Sequence, residues 1–315
     1  MTRDISLRGL MIFAGTHGPA MLLGGVLIGL LAPPLAEAAR PLMSAAVFVF
    51  TLGAFLKVEF TSFRAELEQR SRAMATLAWT TFGVPLAMLG LIRALTPEPD
   101  LAQGLLLCML APPVGSAAAI AAMLGLSPSL ALLATIAATV ISPFYLPPLA
   151  ASFAGYHLGI DPIGMSERLL AIVGGACLAA TLLRRYAGRF VAQNPEAMTG
   201  IAVLGLIFVA IGAMRGMQAY FVAHPGQVAE LLAIAFLANA GFQALGTVLF
   251  ASAGPVRAFT VGLVSGNRNV TLVWAAAGSS LFAEPRVELY LAMSVFPIFM
   301  LPALSKRLIS FFLTD

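Results

Sequence analysis

The sequence predicts an all-α polytopic membrane protein, and three observations predict it. Of its 315 residues, 60% are hydrophobic and only 10% charged, where a soluble domain carries about a quarter charged residues. Mean hydropathy is +0.94. Apolar stretches recur along the whole chain, and at about 20 residues per crossing they leave room for roughly ten transmembrane helices and for no separate catalytic domain.

The stretches fall at about 12–33, 41–56, 73–94, 102–123, 128–152, 166–184, 199–220, 229–251, 257–280 and 288–312. The first follows Arg3 and Arg8 and reads as a retained helix rather than a cleaved signal, because its small residues lead into another apolar segment. His17 stands near its start, before Gly18 and Pro19, and reads as an interfacial or packing residue. The fourth and fifth stretches are separated only by the turn Leu124–Pro128, but about 50 residues rising 1.5 Å each are too many for one crossing. The chain holds 29 Gly and 20 Pro, which suits close helix packing and broken helices.

Charge sets the direction of the crossings. The net charge of +4 is not a nucleic-acid footprint, because the basic residues are dispersed among apolar stretches. With the N-terminus inside, Arg3, Arg8, Lys57, Arg64, Arg70, Arg72, Arg184, Arg185, Arg189, Arg257, Lys306 and Arg307 face the cytoplasm. Only Arg40, Arg93, Arg168, Arg215 and Arg286 face outward. An even number of crossings puts both termini in the cytoplasm and the protein in the cell (inner or plasma) membrane. Glu37 and Arg40 read as ordinary loop charges, and Cys108 and Cys177 as buried small apolar residues.

The chain also repeats. Pro143 and Pro148 in the fifth stretch recur as Pro297 and Pro302 in the tenth, both 154 residues later. The same offset carries Pro112 to Gly266 and Gly115 to Asn269. Residues 9–152 and 163–312 are therefore expected to be two five-helix repeats. Five is odd, so the repeats are inverted in the membrane, as in carriers that work by alternating access.

Two stretches carry breaks. Ala111-Pro112-Pro113-Val114-Gly115-Ser116 interrupts the fourth, because Pro removes an amide donor and Gly loosens the backbone. Ser265-Gly266-Asn267-Arg268-Asn269-Val270-Thr271 interrupts the ninth with polar side chains that must face protein or a cavity at membrane depth. Arg268 sits ten or so residues from either end of its helix, too deep to reach the interface easily. It either meets a ligand or replaces a coupling cation, or it ties freed carbonyls together. No acid answers it within an apolar core: Glu59, Glu230 and Glu288 all lie near segment ends, so a cavity here would favour an anion. Asn239 and Gln243, one turn apart in the eighth stretch, can line the same cavity. So can Thr80 and Thr81 before Pro85, and Thr135, Thr139 and Ser142 in the fifth, although membrane threonines usually bond back to their own helix.

No enzyme motif is present, no paired carboxylates lie within the membrane, and His157 and His224 fall in outward loops with nothing paired to them. The chain therefore reads as not an enzyme, with no cofactor and no metal site.

Ala111-Pro112-Pro113-Val114-Gly115-Ser116 with Ile141-Ser142-Pro143, and Gly266-Asn267-Arg268-Asn269 followed by Leu272 and an Ala-rich run, resemble the bile acid:sodium symporter family. Its superfamily includes the organic-anion, arsenite and riboflavin carriers, and this chain is similar to a divergent, bacterial-type member. The resemblance covers essentially the whole chain. It implies ten helices: a panel domain from the first, second, sixth and seventh, and a core domain from the third, fourth, fifth, eighth, ninth and tenth. In the core the fourth and ninth helices are discontinuous and cross, and the substrate lies between panel and core. The sodium ligands of such relatives are largely absent here. Ser and Asn beyond the fourth-helix break correspond to Ala117 and Ala118, the ninth-helix carboxylate to Val264, a ninth-helix Gln to Arg268 and a third-helix Gln to Thr80. In the fifth helix one ligand falls on Ala131, and only Thr135 keeps an oxygen as a residual ion ligand.

The expected function is a secondary active transporter of a small organic anion, acting by alternating access without the conventional two-sodium site. Sodium-coupled symport of organic anions or bile-acid-like solutes, a carrier of neutral or weakly charged solutes, and a non-transporting sensor or scaffold are the alternatives. The partners implied are the solute and the lipid bilayer, with no nucleic acid and no obligate protein partner.

Overall fold

The computed structural model describes residues 18–58, 64, 66, 68–153, 161–278 and 285–313. Arg3, Arg8, His17, Glu59 and His157 lie outside the described residues, as does the opening of the first predicted segment. In chain order the helices begin with α1 (Gly18–Leu31), α2 (Pro33–Ala39), α3 (Met43–Leu56), α4 (Arg70–Ala78), α5 (Val84–Leu95) and α6 (Pro99–Leu110). They continue with α7 (Ala117–Met123), α8 (Pro128–Phe153), α9 (Pro162–Leu169), α10 (Gly175–Gln193), α11 (Pro195–Ala213) and α12 (Met217–Ala223). The last five are α13 (Pro225–Leu249), α14 (Pro255–Gly266), α15 (Val270–Ala277), α16 (Pro285–Met293) and α17 (Val295–Leu313). Eight of the seventeen begin at a proline. Proline at a first helical position loses no hydrogen bond and already has a helical φ, so these eight of the 20 prolines start helices rather than break them.

Seven helical stretches among the described residues are long and apolar enough to cross a membrane: Pro33–Leu56, Arg70–Leu95, Pro128–Ser152, Pro162–Gln193, Pro195–Ala213, Pro225–Leu249 and Pro285–Arg307. They overlap seven of the predicted segments. The remaining three segments are α1, whose 14 residues open the described chain, and the fourth and ninth, each divided into two short helices. The protein is a helical, multi-pass membrane protein.

The chain forms two compact units. One comprises the described residues of Met1–Val58 with Arg168–Pro225, the other those of Glu59–Glu167 with Gly226–Asp315. In the first, α11 packs on α3 and α1. The contact with α3 is at backbone range: a Cβ on Gly205 would stand 2.7 Å from the Ala46 carbonyl oxygen, and one on Gly53 would stand 2.7 Å from the Ala202 nitrogen. Small residues allow such approaches between membrane helices. Two arginines close helix ends in this unit. Arg184 Nη2 donates to the carbonyls of Phe55, Leu56 and Val58 at 3.2, 2.7 and 2.6 Å, where α3 runs out of amides. Arg40 is no loop charge: it is buried, and its Nη1 donates to the Gly212 carbonyl at 3.4 Å near the end of α11. Cys177 also departs from expectation. It is exposed on α10, because a small thiol is as compatible with lipid as with a protein core.

In the second unit α6 packs on α16, α7 on α8, and α8 on α14. The fifth predicted segment is one 26-residue helix, α8, that carries Pro143, Pro147 and Pro148 within it. The tenth divides at Ser294 into α16 and α17, which puts Pro297 in the first turn of α17. The prolines matched across the repeat therefore do different local work. At one end of the unit, Arg257 Nη2 and Ser129 Oγ both donate to the Glu66 carboxylate at 2.8 Å, joining α14, α8 and the segment before α4.

Candidate functional site

Helix α6 stops at Leu110 because Ala111 precedes proline and turns extended, with φ −58° and ψ 146°. The chain resumes as α7 at Ala117. Helix α14 stops at Gly266, Asn267 is extended, and α15 starts at Val270. The two irregular segments pair with each other. Pro113 and Arg268 form an isolated antiparallel bridge. The Val114 amide donates to the Asn267 carbonyl at 2.9 Å, and the Asn269 amide to the Pro112 carbonyl at 2.7 Å. Backbone groups released at membrane depth thus find partners in the other broken helix.

Other carbonyls stay open, and the sequence explains which. The Met109 carbonyl would normally accept from the residue four places on, which is Pro113 and has no amide. The Leu110 carbonyl would accept from Val114, whose amide already serves Asn267. A third arises where the helix of α4 and α5 widens into a π turn over Trp79–Gly83. There the Val84 amide donates to Trp79, and Pro85 has none to give Thr80.

Arg268 closes two of these and a fourth of its own. Its Nη2 donates to the Thr80 and Met109 carbonyls, both at 2.8 Å, and its Nη1 to the Val264 carbonyl at 3.3 Å. Tyr145 Oη donates to the Leu110 carbonyl at 3.2 Å. The Arg268 side chain is 0% exposed, and among the described residues no carboxylate forms an ion pair with it. Of the roles open to Arg268 from sequence, the geometry is that of the tie between broken helices.

The eighth-segment pair also reaches the break. Asn239 Nδ2 donates to the Gly266 carbonyl at 3.0 Å and to Asn267 Oδ1 at 3.1 Å. Gln243 Nε2 donates to Asn239 Oδ1 at 2.6 Å and to Asn267 Oδ1 at 3.4 Å. The approach is so close that a Cβ on Gly266 would lie 2.4 Å from the Asn239 carbonyl oxygen. Asn267 Oδ1 is saturated while its buried Nδ2 has no partner, and Asn269 Oδ1 accepts from Thr271 Oγ1 at 2.5 Å. Gly115 and Ser116 are the half-buried part of the first break, and Ser116 Oγ is also unpartnered.

The threonines divide. Thr80 Oγ1 bonds back to Thr76 at 2.9 Å, so its contribution to the site is its carbonyl. Thr135 Oγ1 leaves its own helix and donates to the Val114 carbonyl at 3.4 Å. Thr139 is buried and its carbonyl accepts from Ser142 Oγ at 2.7 Å; Thr81 Oγ1 is buried without a partner. Ala117, Ala131 and Val264 are each 0% exposed and lie in one hydrophobic cluster with Val114, Leu263 and Ile298, with Ala118 packed against it. Tyr145, the Trp79 Nε1–Ser265 Oγ bond of 2.8 Å and the π turn were not expected from sequence. The spacing of Met109 to Pro113 was the available signal, since that proline withholds one α-helical amide, whereas Pro85 leaves Thr80 open only because of the π turn.

No curated protein matches the chain. Residues 44–225 match the sodium bile acid symporter family, a stretch that includes the first break and ends before the second. That match takes in more than half of a helical, multi-pass chain, which belongs to the sodium bile acid symporter family and is a membrane transporter.

Proposed function

We propose that this protein is a secondary transporter that carries a small organic anion through the cell membrane by alternating access, without the conventional two-sodium site. One observation carries the reading. Two broken helices pair backbone to backbone at Pro113 and Arg268, around a fully buried arginine with no paired carboxylate among the described residues. Irregular backbone at membrane depth is characteristic of transport sites. Gly115 and Ser116, the half-buried residues of the first break, are the proposed first contact for the solute, and Asn269 completes the crossing on the other segment.

The wider architecture belongs to the same proposal. Ten crossings arise when α1, the α6–α7 pair and the α14–α15 pair are each counted once beside the seven long spans. The repeats are 9–152 and 163–312, inverted, with both termini cytoplasmic. The first compact unit holds the first, second, sixth and seventh predicted segments and the second holds the rest, which supports a panel and a core.

A bound sodium does not fit these residues. A hard monocation needs several oxygen ligands, preferably with a negative charge among them. The corresponding positions Ala117, Ala118, Ala131 and Val264 supply methyl groups to one apolar cluster, and the remaining hydroxyl, on Thr135, is bonded to Val114. The test is uptake of radiolabelled small carboxylates and sulfonates into liposomes holding the purified protein, with and without imposed Na⁺ gradients. Saturable anion uptake that ignores Na⁺ is expected. Absence of flux for every anion offered, or uptake that requires Na⁺, would overturn the reading.

A further inference from the structure

The disagreement between this site and a bound cation goes further than missing ligands, and it rests on geometry that is independent of any transport assay. Thr80 and Met109 have carbonyls left open because Pro85 and Pro113 lack amides. Val264 adds a third at the end of α14. These three oxygens belong to three different helical segments and surround the two terminal nitrogens of one guanidinium. Such a convergence of carbonyls is a site for a cation, because the negative ends of the dipoles would otherwise face each other unsolvated. Here the point is filled by the guanidinium of Arg268, at 2.8, 2.8 and 3.3 Å from the three oxygens. A planar fork matches several acceptors spread around it, which a compact ammonium cannot do.

We propose that Arg268 is a tethered cation: its guanidinium permanently occupies a carbonyl-lined cation site and holds the α4–α5 π turn, the end of α6 and the end of α14 together with no free ion. Arg268 thus acts as a positioning residue for the crossing and does not receive the anion itself, since both terminal nitrogens are engaged and the side chain is fully buried. The polarity of the surroundings follows. With the charge built into the chain, the neighbouring positions need no oxygen ligands, and Ala117, Ala131 and Val264 close into an apolar cluster.

The proposal makes the emptied site a receptor for a small cation, and free guanidinium is the probe. The purified protein in detergent is heated with guanidinium, methylguanidinium, Na⁺, K⁺, choline or urea at low millimolar concentrations, as wild type, Arg268→Ala, Arg268→Gln and Arg268→Lys. Wild type should show no saturable stabilisation by any of these. Arg268→Ala should melt roughly 5–10 °C lower, and guanidinium, unlike choline or urea, should recover at least half of the loss with a saturable dependence. Arg268→Lys should lie between the two, because it keeps charge but reaches fewer carbonyls. Two results overturn the proposal: saturable stabilisation of wild type by Na⁺, or a loss in Arg268→Ala that no cation repairs while Arg268→Gln matches wild type. If Arg268→Ala does not fold, the wild-type Na⁺ titration and the order Arg, Lys, Gln decide the matter. Because the readout is melting, failure of the anion-transport reading would leave this result standing, and the reverse also holds.

Discussion

The Val114 amide donates to the Asn267 carbonyl at 2.9 Å across 153 residues of sequence, and the Asn269 amide returns the bond to Pro112 at 2.7 Å. Each break supplies the partner that the other lacks. The crossing is therefore a single cooperative object, and substitutions in either broken helix should report on both.

Pro113→Ala should damage transport more than stability. An alanine at 113 regains an amide that competes with Arg268 Nη2 for the Met109 carbonyl, while Pro112 still holds Ala111 out of the helix. Unfolding free energy should change by less than about 1 kcal/mol, since one carbonyl partner replaces another. Solute flux should fall roughly tenfold, as an energetic penalty of about 1.4 kcal/mol on reaching the working geometry would give. Flux equal to wild type would show that the first break is a simple kink.

Asn239→Leu should be strongly destabilising. It removes the donor to the Gly266 carbonyl and to Asn267 Oδ1, both buried. The Gly266 carbonyl is left unsatisfied while Asn267 Oδ1 keeps its bond from Gln243 Nε2, so a loss of about 1–3 kcal/mol is expected in denaturant titrations. Gln243→Leu should cost less, because Asn239 still bonds Asn267 without it. Equal losses would contradict the hydrogen-bond order drawn from the distances.

Gly205→Ala and Gly53→Ala should each destabilise the first unit by about 1–3 kcal/mol, because the added methyl would enter backbone atoms of the facing helix. Gly24→Ala is the control, with nothing within 4 Å of the added carbon. Thermal melting of the three variants checks this. A Gly205→Ala protein as stable as Gly24→Ala would mean that α3 and α11 can separate freely.

Glu66 and Arg257 should be coupled. Their side chains are 12% and 13% exposed and 2.8 Å apart, and Ser129 also donates to the carboxylate. Either single change to Gln should cost roughly 2 kcal/mol, and the double change should cost less than the sum of the two. Strict additivity in a double-mutant cycle would reduce the pair to independent surface charges.

Much of the site was legible in the residues themselves. Pro112-Pro113 and Gly266-Asn267-Arg268-Asn269 mark where the helices break, because amide loss and polar cost at membrane depth are local properties. The polar pair Asn239 and Gln243 was visible from its one-turn spacing. Its target was not, because spacing gives a shared face and no address. Arg40 and Cys177 were misplaced for the same reason: burial of a side chain depends on which helix covers it, and nothing in Arg40's neighbours in sequence names Gly212.

Sequence by itself determined that the chain is a helical membrane protein, that seven of its apolar stretches lie on long helices, and that the fourth and ninth cannot run through. Those follow from transfer free energy and backbone chemistry, which act residue by residue. Only the tertiary structure decided what the broken ends do. It set Val114 against Asn267, gathered Ala117, Ala131 and Val264 into one apolar cluster, and aimed Arg268 at the carbonyls of Thr80 and Met109. A carbonyl left open by a proline can be satisfied by any donor within reach, and reach is a property of packing between helices that are far apart in the chain.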